Sequence, residues 1–232
     1  MLDVLLYGAL PYVAFSIFLL ISIQRYVKTP FTYSSLSSQF LESRRLFWGS
    51  VPFHLGVLFL FFGHLVGFLI PRQIMFWNEA PLRLFVLEAA ALAAALLFGF
   101  GMVGLIVRRA ASARLRSQTS VWDVIVYALL LFQVVTGIWV ALGLRWGISW
   151  YTAAVVPYLW SIVRLQPEVP LMAELPLAAR LHVLGAFTLT VCFSFTRLVH
   201  TLVAPVPYLW RPLQQVIWNR RRGLTEKGIR RS

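Results

Sequence analysis

Five stretches of this chain are long and apolar enough to cross a bilayer, at roughly 4–24, 47–70, 83–107, 121–144 and 178–204. Crossing about 30 Å of hydrocarbon takes roughly 20 helical residues. Backbone polar groups in lipid must find partners within their own segment, which a helix provides. The sequence therefore predicts an all-α integral membrane protein, a single domain over residues 1–232 built as a five-transmembrane-helix bundle. Composition agrees: 59% of residues are hydrophobic, 12% are charged and the mean hydropathy is +0.77. A soluble domain has about 25% charged residues. The boundary residues fit too. Ser50 and Pro52 suit a first turn, Pro71 follows the second span, and Pro205 and Pro207 stop the fifth. Pro11 is expected to kink the first span.

The net charge of +13 is a matter of topology, not of nucleic-acid binding. With five crossings, the loops on the N-terminal side hold Arg72, Arg83, Arg145, Arg164 and Arg180. The other sixteen of the 21 basic residues lie on the opposite side, in the loops around 25–45 and 108–116 and from Arg197 onwards. The positive-inside rule then puts the N-terminus outside and the C-terminus, with its basic tail over 205–232, in the cytoplasm. The N-terminal run lacks a basic leader and reads as a retained first span. Between spans four and five, Trp146, Trp150, Tyr158 and Trp160 suit a helix lying on the outer surface. SSLSSQ (34–39) reads as a cytoplasmic loop, and VPYLW, at 156–160 and 206–210, as a proline followed by interfacial anchors.

Cys192 is the only cysteine, and C-x-x-C-H is absent. Intrachain disulfides, covalent c-type haem and thiolate-held clusters are excluded. The four histidines carry the chemistry. His54 and His64 lie in the second span, His182 and His200 in the fifth, and the other spans have none. The two spans are antiparallel, so equal depths match His54 with His200 and His64 with His182. Facing imidazoles suit the two axial positions of a haem iron. Singly, each histidine reads equally well as a structural imidazole; a proton relay or a buried transition metal is the other chemistry open to them. His182 and His200 are 18 residues apart, five turns of one face, whereas His54 and His64 are ten apart and about 80° out of register. The separations of about 27 and 15 Å call for a tilted fifth helix or for inclined haems. Gly56, Gly63, Gly67 and Gly185 leave room beside the histidines for a macrocycle, or form G-x-x-x-G helix contacts.

LPYVAFSIFLL with QRY, SSLSSQFLE, FHLGVLFLFFGHLVGF, Arg108-Arg109, RLHVLGAF, FTRLVH and PVPYL together resemble the gamma subunit of respiratory nitrate reductase, a membrane dihaem cytochrome b. The resemblance covers nearly the whole chain. It implies two haem b groups, the distal held by His64 and His182 and the proximal by His54 and His200. It implies a multi-pass place in a bacterial or archaeal cytoplasmic membrane, with menaquinol or ubiquinol from the quinone pool as substrate. It implies a heterotrimer with an iron–sulfur beta subunit and a molybdenum-containing alpha subunit at the cytoplasmic face. Gly63 and His64 match the family's quinol site, and Arg83 aligns with a lysine there, a departure because arginine does not readily release its proton. Glu88 is a proton acceptor candidate, and Arg197 and Arg180 are candidates for holding haem propionates. Arg108 and Arg109 read as lipid or partner contacts. The rival readings are a related dihaem cytochrome feeding a different iron–sulfur partner, and a non-redox histidine-containing transporter.

Overall fold

A computed structural model describes residues 1–29, 46–144 and 147–202, and among them the structure is all helix with connecting turns. The predicted features SSLSSQ (34–39), Trp146, the second VPYLW, Pro205, Pro207 and the basic tail lie outside the described residues. The long helices are α1 (Val4–Lys28), α2 (Leu46–Leu69), α4 (Pro81–Ala111) and α5 (Val121–Gly143), each long and apolar enough to span a membrane. Between α2 and α4 lies the short α3 (Pro71–Asn78). Two further apolar helices follow, α6 (Ile148–Val163) and α7 (Leu177–Phe193).

Sequence features account for most of the breaks. Ile70 leaves helical geometry before Pro71, which opens α3. α5 begins with a capping box in which Ser120 and Asp123 bond each other's backbone N–H. At Pro11 the preceding turn is π-helical, over Val4–Ala9, and the helix runs on. Proline offers no N–H to the Tyr7 carbonyl four residues back. The buried Tyr158 hydroxyl donates to that carbonyl instead, at 2.7 Å. Pro52 is not in a first turn: α2 already begins at Leu46, so Pro52 lies inside the helix.

The largest departure is the fifth predicted span. It is not one helix over 178–204: α7 ends at Phe193 and a 3₁₀ segment occupies Arg197–Leu202. The break is stabilised from α1. The Ser194 hydroxyl meets Ser22 Oγ at 2.7 Å and donates to the Phe18 carbonyl. Arg25 Nη1 donates to the carbonyls of Ser194, at 2.6 Å, and Thr196, at 3.3 Å. Carbonyls that lose their helical donors in an apolar setting need such partners.

Packing runs in the order α1–α7–α5–α4–α2. α2 and α4 approach most closely, through glycine: a Cβ on Gly56 would lie 2.6 Å from the Phe98 amide nitrogen, and Gly101 faces the Phe53 backbone. One core cluster joins α4 to α5 around Phe98, Met102, Leu130 and Val134. The other joins α1, α6 and α7 around Tyr7, Tyr158, Ile162 and Phe187. The ends of this arc, α1 and α2, are bridged by α6. Tyr158 reaches Tyr7, while Trp160 stacks on Phe68 at 4.9 Å and donates to its carbonyl. Tyr158 is fully buried, so it is a core tie and not the exposed anchor expected from sequence. Leu55, Phe59, Phe61 and Phe62 of α2 are exposed, as a lipid-facing surface requires.

Candidate functional site: two imidazole pairs between α2 and the last segment

Helices α2 and α7 make at most marginal direct contact. What reaches across is imidazole. His54 and His200 have ring centres 6.5 Å apart, and His64 and His182 have theirs 6.4 Å apart. These are the equal-depth pairs. The break after Phe193 means that His182 and His200 do not share one helical face, and the five-turn argument for them does not describe the molecule.

Each ring is anchored through the same atom. Nδ1 of His54 donates to the Ser50 carbonyl at 2.7 Å, and Nδ1 of His64 to the Leu60 carbonyl at 2.7 Å. Nδ1 of His200 donates to the Arg197 carbonyl at 2.5 Å. His182 Nδ1 donates to Thr136 Oγ1 at 3.0 Å, and that hydroxyl gives its own proton to the Phe132 carbonyl. A ring that donates from Nδ1 keeps its lone pair on Nε2. Anchoring one nitrogen to orient the other is the usual support of a metal-bound histidine. Two imidazoles bound trans to one metal, with bonds of about 2.0 Å, place their ring centres roughly 6 Å apart. Both separations fit. Among the described residues no cluster of three or more His, Cys, Asp or Glu could hold a bare metal ion. Two protein ligands suffice for a haem, whose macrocycle supplies the rest of the coordination sphere.

The surroundings of the pairs differ. An open cavity beside His54 and His200 is lined by Arg108, Arg109, Asp123 and Arg197. Arg197 thus lines the cavity beside one imidazole pair. Arg108 and Arg109 are not outward lipid contacts, as their sequence position suggested. Arg108 is 5% exposed, and Arg109 pairs with Asp123 at 3.1 Å and lies over the Tyr127 ring. Both sit on the last turn of α4, which extends past the predicted end of that span and brings Arg109 onto α5.

The described groups in contact with His64 and His182 are neutral. The Tyr151 ring is 5.3 Å from His64, and its hydroxyl donates to the His64 carbonyl. Burial pushes the Tyr151 phenol up to about 12, so it remains a donor at physiological pH. Gly63 faces open space, whereas Gly67 is filled by Tyr151 and Gly185 by Phe132 and Gln133. The glycines therefore divide: Gly63 alone leaves room, and the others serve packing. Arg180, two residues from His182, pairs with Asp3 and lies over Tyr7 on α1. A propionate would have to share it. Arg83 lies over Trp77 at 5.0 Å. Arg83 Nε, Glu88 Oε1 and both polar atoms of the Asn78 side chain are buried without hydrogen-bond partners. Among the described residues no hydrogen bond or ion pair joins Arg83 or Glu88 to the His64 site.

Asp123, Thr136 and Tyr151 are site residues that sequence reasoning missed. Asp123 had a signal, since S-x-x-D before an apolar run marks a capped helix start. A lone threonine in a span and a tyrosine among interfacial aromatics carry none.

Residues 3–219 match the family described as nitrate reductase gamma subunit. The nitrate reductase gamma chain of Bacillus subtilis is 32% identical over 212 residues, which cover 89% of this chain and 94% of that protein. The respiratory nitrate reductase 2 gamma chain of Escherichia coli is 31% identical over 219 residues, 93% of this chain and 96% of that one. The nitrate reductase-like protein NarX of Mycobacterium tuberculosis is 34% identical over 224 residues, 91% of this chain but 33% of the longer protein.

Proposed function

The chain belongs to the nitrate reductase gamma-subunit family and is a multi-pass membrane component of a redox enzyme complex, and from that premise we propose that it is a dihaem quinol-oxidising cytochrome b. It takes electrons from quinol at the outer face and delivers them to an iron–sulfur beta subunit at the cytoplasmic face, which feeds a molybdenum-containing alpha subunit reducing nitrate. Helix α7 with the Arg197–Leu202 segment completes the fifth crossing, with the N-terminus outside and the C-terminus in the cytoplasm. The observation that carries this reading is the pair of anchored imidazole couples, 6.5 and 6.4 Å between ring centres.

His54 and His200 hold the haem nearer the cytoplasm, and His64 and His182 the haem nearer the outside. Bound there, the two haems supply one-electron relay across the apolar interior. Arg108, Arg109 and Arg197 give the cytoplasmic-side cavity the cationic donors that propionates need. At the outer end, Gly63 leaves the approach beside His64 open to the edge of a quinol ring. Arg83 orients a quinol oxygen, for which its unpartnered Nε is suited, and Glu88 takes a proton on its unpartnered Oε1 towards the outer surface. Each quinol gives up two electrons inward and two protons outward. Charge crosses the bilayer as electrons, so the subunit needs no proton channel.

The test is a reduced-minus-oxidised spectrum with haem extraction from the purified chain. Two non-covalent b haems per chain are expected. Absence of b-type absorbance would sink the reading.

A further inference from the structure

Among the described residues lining the cavity beside His54 and His200, Asp123 is the single carboxylate facing three guanidinium groups. It is 4% exposed. Its place at the start of α5 is fixed locally: Oδ2 accepts the Ser120 N–H, and the Asp123 N–H donates to Ser120 Oγ, both at 3.1 Å. The carboxylate then joins two other elements. Oδ2 takes Arg109 Nη1 of α4 at 3.1 Å, and the same nitrogen is steadied by Thr119 Oγ1. Oδ1 takes Arg197 from Nε at 2.6 Å and from Nη2 at 2.5 Å.

Arg197 is the link to the imidazole, because its carbonyl accepts Nδ1–H of His200. The segment that carries both residues lies beyond the break that ends α7. It is therefore not braced by the hydrogen-bond ladder of a long helix. We propose that Asp123 is the positioning residue of the His54–His200 site, tethering Arg197 and through its backbone the His200 ring, and balancing the cavity charge. The inference rests on the haem reading of that pair.

The experiment is a redox titration with low-spin haem spectroscopy of the intact chain in membranes, comparing the native chain with Asp123→Asn. A nearby carboxylate stabilises oxidised iron, so its removal shifts the potential of the His54–His200 haem upward. Loss of the tether also changes the low-spin signal of that haem. The His64–His182 haem in the same molecule is the folding control and is expected to stay unchanged. A double variant, Asp123→Asn with Arg109→Gln, restores the native net charge while leaving Arg197 without its carboxylate partner. It returns the potential towards the native value but keeps the altered low-spin signal. An Asp123→Asn chain with both haems native overturns the proposal, and so does an equal shift in both. If the single variant loses both haems, the double variant decides: an altered His54–His200 haem beside an intact His64–His182 haem supports the tether, and renewed loss of both overturns it. A native chain with no b haem would instead overturn the reading beneath.

Discussion

The two imidazole pairs have almost the same ring separation but are built by different means. At His54–His200 both Nδ1 atoms bond backbone carbonyls of their own segments, and the surroundings are charged. At His64–His182 one anchor comes from a different helix, through the Thr136 hydroxyl, and the described contacts are aromatic and neutral. The ring planes differ as well, at 73° in the first pair and 36° in the second. One frame can thus offer two sites of like geometry and unlike electrostatics. For two iron centres in series that is a useful property, since burial, second-shell hydrogen bonds and nearby charge are the levers on potential.

The largest effect expected is loss of a whole haem. His64→Ala and His182→Ala should each take the chain from two b haems to one and remove the same one. His54→Ala and His200→Ala should remove the other. Spectra and haem extraction of the four variants check this. If His64→Ala and His182→Ala spared different haems, the pairing and the comparison built on it would both collapse.

That pairing was legible from sequence because it needed only depth, and depth follows from apolar run length and loop charge. Angular placement was not legible. It depended on a continuous fifth helix, and FSFT at 193–196 carries no proline or glycine to announce a break. The break is stabilised by Ser22 and Arg25, about 170 positions away in sequence, as the separations of those bonds show. The same holds for the arginines. Arg108 and Arg109 looked like an outward basic pair because charge at the end of a span usually faces headgroups. Arg108 is buried, and the inward course of Arg109 depends on Asp123, whose partners are set by how α4 and α5 pack. Local signals found the spans and their caps; contacts between distant segments had to come from the structure.

An intermediate effect would sharpen the contrast between the sites. Thr136→Val keeps the shape of the side chain and removes the acceptor for His182 Nδ1–H. Losing such an outer-shell partner typically weakens metal binding by about 10- to 100-fold. The His64–His182 haem should be retained less tightly and show an altered potential, with the His54–His200 haem unchanged. Retention during detergent washing, followed by redox titration, is the measurement. An equal response at both sites would mean that the hydroxyl acts on the bundle and not on one ring.

The smallest effect concerns Arg180, whose place two residues before His182 made it a propionate candidate beside Arg197. Its guanidinium pairs with Asp3, and both side chains are partly exposed, at 28% and 39%. Pairs of that kind contribute about 0.2–1 kcal/mol, less at high salt. Asp3→Asn should therefore lower thermal stability by no more than about 1 kcal/mol and leave both haem signals as they were. Arg180→Met should cost somewhat more, since it also removes the contact over Tyr7, and the double variant should be no worse than Arg180→Met alone, because both single changes remove the same ion pair. The informative outcome is asymmetry. If Arg180→Met shifts the His64–His182 haem while Asp3→Asn does not, the guanidinium serves an anion at that site in addition to Asp3. The neutral site would then have a cation of its own, and the electrostatic difference between the two pairs would be one of degree.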